Sequence, residues 1–332
     1  MKIAAFGEIM LRLTVPEHQL LTQNNMLQSS YTGTGVNILS SLHQLGAESY
    51  MISQLPANRL GQAALAGLRQ KGLHTDFIGL QGDHLGSFFV ELGFGARPTY
   101  VTYQNRRASS FGQAEAAAYD FTTALTRVDA VHICGISLSL TPATRTAALM
   151  LARQAQTLGK RVYFDFNFRP SLNEKRGHDE IRQAYRQILP LCDFVFGSRR
   201  DLTALLDYPA EATNEDLYQR FVADYDLSGF AGVQRGKDKD HGQGTITGFW
   251  ADATQVRYSN QYPVQVLDRI GTGDAYAAGI IFGREQGWEA ERTLAIAIIN
   301  DVLAHSTYDD TPAASLADIE QVLQHPEQDL IR

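Results

Sequence analysis

Residues 266–279 read VLDRIGTGDAYAAG. Asp268, Gly271, Gly273 and Asp274 fall close together, and a run of small apolar residues follows. That run, continuing as IIFGREQG, fits a tightly packed helix. Asp274 then stands at the helix N-terminus, with Gly271, Thr272 and Gly273 on the turn before it. Unsatisfied N–H groups at a helix start attract anions, and glycines let an anion approach the backbone closely. A carboxylate at this place has two readings. It caps the helix, worth about 1 kcal/mol, or it accepts a proton from an attacking hydroxyl while the N–H groups hold a phosphoryl group in transfer. Spacing alone leaves both open. The two common nucleotide fingerprints are absent. GVQRGKD (232–238) has one residue too few between its glycines for a P-loop, and TGTGVN (32–37) is followed by Ile38 where a dinucleotide motif needs its third glycine.

Outward from this loop the chain alternates. KIAAFG (2–7), SYMISQL (49–55), AVHICG (130–135), RVYFDF (161–166) and DFVFG (193–197) read as short apolar strands. Between them, GVNILSSLHQLG (35–46), RLGQAALAGLRQKG (59–72), RTAALMLARQAQTLG (145–159) and DEIRQAYRQIL (179–189) carry helical spacing, the first three closed by glycine. This alternation predicts an α/β body with a mainly parallel sheet flanked by helices. MLRLTV (10–15) and SFFVELGFGARPTYVTYQ (87–104) break the rhythm and read as a small antiparallel sheet inserted into the body. GTITGFW and TQVRYS (244–259) form a second all-β patch. The division expected is a body of residues 1–8, 34–86 and 108–332, and a β lid of residues 9–33 and 87–107.

A net charge of −7 argues against nucleic acid as a partner. The two cysteines, Cys134 and Cys192, lie in apolar runs and suit neither a disulfide framework nor a zinc site. The start, MKIAAFGEIML, lacks a signal peptide's apolar stretch and cleavage site. The apolar runs are too short for a bilayer, so the expectation is a cytoplasmic protein without a membrane partner. His132, inside an apolar strand, reads as a satisfied core residue.

DRIGTGDAYAAG closely resembles the D-x-x-G-[AG]-G-D signature of the ribokinase-like (PfkB) carbohydrate kinases, with Thr272 at the variable position. TGTGVN resembles the early Gly/Asn segment of that family, and the inserted strands resemble its lid. The resemblance runs over essentially the whole chain. It implies a ribokinase-like three-layer α/β fold with ATP and Mg²⁺ as cofactors and transfer of the γ-phosphoryl group to a sugar hydroxyl. Asp274 would be the base, and Gly271, Thr272 and Gly273 would complete the anion hole. A homo-oligomer formed through the β lid would suit the family.

DFNFRPSL (165–172), YQNRRASS (103–110), the DRIG form of the signature and AHSTYDD (304–310) are similar to segments of 2-keto-3-deoxygluconate kinases. On this resemblance Gly33, Asn37, Arg106, Asn167, Arg169 and Asp309 contact the substrate, with Asn167 between sugar and nucleotide. Arginine suits a sugar acid because it binds a carboxylate through two donors. Arg106 with Arg107 also fits a solvated pair at the lid edge, and Asp309 also fits loop surface. Ser198 and Asp201, in FGSRRDL (196–202), stand where the family carries N-x-x-E. Ser198 would face the nucleotide and Asp201 the hydrated Mg²⁺. Gly236, in the polar segment VQRGKDKDHGQGTI (233–246), would be a further nucleotide contact. A neutral-sugar kinase of fructokinase or ribokinase type, and a sugar-binding regulatory protein that has lost transfer, stay open as alternatives.

Overall fold

The computed structural model describes residues 1–169, 172, 178–237 and 244–326. One sheet runs in the order β13 (Val256–Val264), β12 (Gly244–Ala251), β11 (Gly229–Lys237), β10 (Phe194–Phe196), β9 (Arg161–Asp165), β8 (Ala130–Cys134), β1 (Lys2–Phe6), β4 (Glu48–Leu55), β5 (His74–Leu80). From β11 to β5 every neighbour pair is parallel. The all-β patch is the pair β12 and β13, which extends this sheet by antiparallel pairing.

The strands read as near-continuous apolar runs because both sheet faces are buried. Ile3 and Ala5 point to one face, where α1 (Thr34–Gln44) and α2 (Arg59–Gln70) pack. Ala4 and Phe6 point to the other, under α3 (Pro142–Thr157), α4 (His178–Ile188), α5 (Arg199–Leu205) and α6 (Asn214–Asp224). The first face also carries α7 (Thr272–Glu285) and α8 (Ala290–Ala304). The small residues after Asp274 let these last two helices touch: a Cβ on Gly279 would lie 2.5 Å from the Ala297 Cα. Asn300 ties three helices together, donating to Ser41 Oγ at 2.9 Å and to the Ala275 carbonyl at 2.8 Å.

The strand order reverses between β1 and β8, whose outward crossovers run in opposite directions. The carboxyl ends of strands beside such a switch point border a crevice where ligands bind.

The second sheet has the order β3 (Gln28–Thr32), β2 (Met10–Val15), β6 (Ser87–Glu91), β7 (Tyr100–Gln104). Two of its pairings are antiparallel, but β2 and β6 run parallel. The reason is that each opens a separate excursion, and both excursions leave the body in the same direction. Met10, Phe88, Val90 and Leu92 form a small core of their own, against which Ile270 packs.

Both cysteines are buried and free. His132 is buried too, yet neither ring nitrogen has a hydrogen-bond partner among the described residues. It is therefore not the satisfied core histidine expected. Burial lowers its pKa to about 3, so the imidazole is neutral.

Candidate active site

The glycine loop starts α7. Gly271 is its N-cap, with φ +86°, and a Cβ there would lie 1.9 Å from the Asp310 carbonyl oxygen. Only glycine fits such a position. Gly273 is different: its φ is not left-handed, and a Cβ on it would meet nothing within 4 Å. Neither backbone nor packing requires glycine there. The open space belongs to a cavity of about 570 Å³ lined by Gly271, Thr272, Gly273 and Asp274. A bare backbone facing open space at a helix N-terminus suits an incoming phosphoryl group.

Asp274 is buried and accepts a hydrogen bond from Asn37 Nδ2 at 2.7 Å. Burial pushes its pKa up to about 8; the Asn37 donor and Arg169 oppose this, while Asp165 and Asp310 add to it. Asp165, at the end of β9, is pushed up to about 7, again chiefly by burial. Asn167 follows in the left-handed region (φ 38°), which asparagine tolerates. Its backbone N–H donates to Asp165 Oδ1, and its side-chain amide donates to Thr34 Oγ1, each at 3.0 Å.

Gly33, Asn37, Arg106, Asn167, Arg169, Ser198 and residues 271–274 all line this one cavity. The lid supplies an apolar ceiling of Met10, Phe88, Val101 and Tyr103. Arg106 is not an exposed lid-edge arginine. It is buried, donates to Glu8 Oε2 through Nε (2.9 Å) and Nη2 (2.8 Å), and lies 4.7 Å from the Tyr103 ring centre. Its charge is matched by Glu8.

Three expected residues lie elsewhere. Asp309, with φ +80°, turns its side chain to Ser30 (2.7 Å) and Lys71 (3.4 Å) and lines a separate cavity of about 320 Å³. Asp310 is the one that lines the main cavity. Gly236 lies beyond the cavity on β11, which reaches it through Gly232, Val233 and Arg235 instead. Residues 238–243 of that nucleotide segment lie outside the described residues. Asp201 does not line the cavity either. Its Oδ2 accepts from Ser198 N (2.8 Å) and Ser198 Oγ (2.7 Å) in a capping box that starts α5. These bonds engage its Oδ2 within the helix start, and Arg200 and Arg169 act on its charge. Among the described residues no group of three or more His, Cys, Asp or Glu could hold a metal. A Mg²⁺ ion here would arrive on the nucleotide phosphates, keeping much of its water.

Sequence reasoning missed Asp165, Arg235, Arg269, Asp301 and Asp310, all of which line the cavity. Arg235 donates to Thr272 Oγ1 at 3.1 Å, beside the first turn of α7. With Arg269 it makes that end of the cavity attractive to anions. Both sit inside segments already singled out, VQRG and DRIG, which was the available signal.

A model of the pfkB family carbohydrate kinases matches residues 1–298. The structure of an Enterococcus faecalis protein carrying a provisional 2-keto-3-deoxygluconate kinase name is 49% identical, with a TM-score of 0.96 over 100% of this chain and 99% of that one. The 2-dehydro-3-deoxygluconokinase of Thermotoga maritima is 26% identical, with a TM-score of 0.91 over 98% of each chain. The 2-dehydro-3-deoxygalactonokinase of Haloferax volcanii is 25% identical over 97% of this chain and 96% of its own.

Proposed function

The chain belongs to the pfkB family of carbohydrate kinases, and from that premise we propose that it phosphorylates a keto sugar acid, 2-keto-3-deoxygluconate, on its terminal hydroxyl. It is an ATP-dependent sugar kinase. The observation that supports the finer reading is that Arg169 lines the same cavity as Asp274 and the α7 N-terminus. An acidic sugar would then meet a guanidinium and the proposed base within one site.

In this reading MgATP supplies the phosphoryl group and the charge compensation of its own metal. The chain does the rest. Asp274 takes the proton from the sugar hydroxyl. The exposed N–H groups of residues 271–273 hold the charge that spreads over the phosphoryl oxygens. Arg235 and Arg269 stand beside those groups. Asn167, bridging Thr34 and Asp165, holds the edge between the two substrates. The lid ceiling excludes water, which would otherwise compete as acceptor. The face of the lid turned away from the cavity exposes Tyr100 on β7, with Phe94 in the turn before that strand. We assign this face to pairing with a second copy, which sedimentation would test.

A charge-assisted hydrogen bond to the carboxylate is worth about 1.5–3 kcal/mol, or about 10–150-fold. So kcat/KM for 2-keto-3-deoxygluconate should exceed that for fructose or ribose by at least about an order of magnitude. A ratio near or below one overturns the sugar-acid reading and favours the neutral-sugar kinase. The assay should include the C4 epimer, 2-keto-3-deoxygalactonate, since the Haloferax relative carries that name. ATP hydrolysis with none of these, together with thermal stabilisation by one of them, would instead favour a sugar-binding protein.

A further inference from the structure

Arg12 lies in the middle of lid strand β2 and is only 1% exposed. A buried guanidinium costs several kcal/mol unless it is fully paired, and this one is. Nη2 donates to Asp268 Oδ2 at 2.5 Å, Nη1 donates to Asp310 Oδ1, and Nε donates to Thr14 Oγ1 at 2.8 Å. Asp268 opens the loop that leads to Asp274, and its Oδ1 accepts from the Ile270 N–H at 3.1 Å. One side chain of the lid therefore holds both loops that frame the reacting end of the cavity.

The contacts continue inward from Asp310. Its Oδ2 lies 2.7 Å from Thr32 Oγ1, which is also 2.8 Å from Asn37 Oδ1, and Asn37 Nδ2 donates to Asp274 Oδ2. Thr32, Asn37, Asp310 and Asp274 are all buried. A threonine hydroxyl carries one proton. Because Asn37 presents its NH₂ to Asp274, its Oδ1 faces Thr32 and needs a donor. Thr32 can give its proton to Asn37 or to Asp310, but not to both. When Arg12 satisfies Asp310, the Thr32 proton is free to fix the Asn37 amide. When it does not, Asp310 competes for that proton, and the amide loses what holds it.

We propose that Arg12 is a positioning residue for phosphoryl transfer: acting from the lid through Asp310, Thr32 and Asn37, it fixes the hydrogen bond donated to Asp274. This rests on Asp274 as the base. Among the described residues, the charged and titratable groups that face Asp274 are Asp165 and Arg169 from β9 and the loop after it, Cys134 from β8, and Asp310 from the loop after α8. Those facing Asp310 are Arg12, Asp268, Asp309 and Asp274. The Asn37 donor favours the ionised form of Asp274, so weakening it moves the ionisation of the base to higher pH.

Thr32→Val tests this with nearly constant shape, removing the shared proton while leaving the Arg12 ion pairs in place. Expected are a kcat at pH 7 lower by about tenfold, the low end for a hydrogen bond to a charged group, and an acid limb of kcat/KM moved to higher pH. Thr32→Ser keeps the hydroxyl and should retain the wild-type limb. Arg12→Met should move the limb in the same direction as Thr32→Val. A folded Thr32→Val with wild-type kcat and limb overturns the proposal, and so does a Thr32→Ser shifted as far as Thr32→Val. If Arg12→Met fails to fold, the Thr32 pair alone decides. Asp274→Asn is measured alongside. Should it stay active, the base reading has failed, whatever the Thr32 variants do.

Discussion

Replacing Asp274 with asparagine should inactivate the enzyme and stabilise it, and the two effects have one origin. Asparagine keeps an oxygen to accept the 2.7 Å bond from Asn37 Nδ2 but cannot take a proton. Loss of a positioned base costs about 10²–10⁴ in rate. The stability side follows from burial. Moving this carboxylate from its ordinary 3.8 to about 8 corresponds to a ceiling of roughly 6 kcal/mol for ionising it in the folded protein. Water in the cavity screens much of that, and about 2 kcal/mol is a reasonable expectation. The sign is set by the direction of the shift. A raised pKa gives stability that is complete below 3.8 and is lost as pH rises through about 8. The wild type should therefore weaken between pH 4 and pH 8.5, and Asp274→Asn should weaken less. The assay is thermal unfolding of both proteins at pH 5 and pH 8.5, without substrates, beside kcat at pH 7.5. The variant's Tm advantage should grow by a few degrees at the higher pH. A variant retaining more than about a tenth of wild-type kcat refutes the base assignment. A variant whose advantage shrinks with pH refutes the argument from burial.

The two loop glycines should separate. Gly271→Ala meets the Asp310 carbonyl at 1.9 Å with φ +86° and should lower Tm, whereas Gly273→Val should fold normally and lose activity; an active Gly273→Val would mean that these N–H groups do not hold the phosphoryl group. Arg169→Lys should erode the acid-over-ketose ratio of kcat/KM more than it weakens ATP affinity, because lysine lacks the two-pronged contact, and an intact ratio would move the substrate carboxylate to another residue. Asp201→Ala should cost about 1 kcal/mol through its capping box and leave the Mg²⁺ concentration for half-maximal rate unchanged, a titration that would instead shift if the side chain organised the metal.

Much of the fold was legible because it rests on local patterns. Apolar strands alternating with glycine-closed helices say that both sheet faces are covered, and Gly46, Gly72 and Gly159 do end their helices in left-handed turns. What the pattern could not give was the relation between separate excursions. MLRLTV and SFFVE each read as a strand, but nothing within either segment says that the two lie parallel. The satisfaction of a buried imidazole is invisible for the same reason: His132 was readable as core, while its lack of partners depends on β1 and β9 on either side of it.

The site shows where local reading stops. Residues 271–274 were singled out because a helix start and its glycines stand within a few positions, and Gly33 and Asn37 because TGTGVN resembles the family's early Gly/Asn segment; all of them line the cavity. Asp309 and Asp310 pose a harder problem, being adjacent carboxylates in one loop. The left-handed turn at Asp309 sends the two side chains apart, and the sequence does not say which one points inward. The choice is made from far away in the chain. Asp310 can be buried because Arg12 supplies a positive charge there from β2, whereas Asp309 stays partly exposed beside Lys71. Arg12 itself sits in MLRLTV, where one arginine among apolar neighbours looks like the outward residue of an edge strand. Only its pairing with Asp268 and Asp310 turns it inward. The same holds for Arg106, whose partner Glu8 is the residue that interrupts the first apolar run. A buried charge is readable from sequence only together with its counter-charge, and for Arg12 and Arg106 the counter-charges come from distant segments.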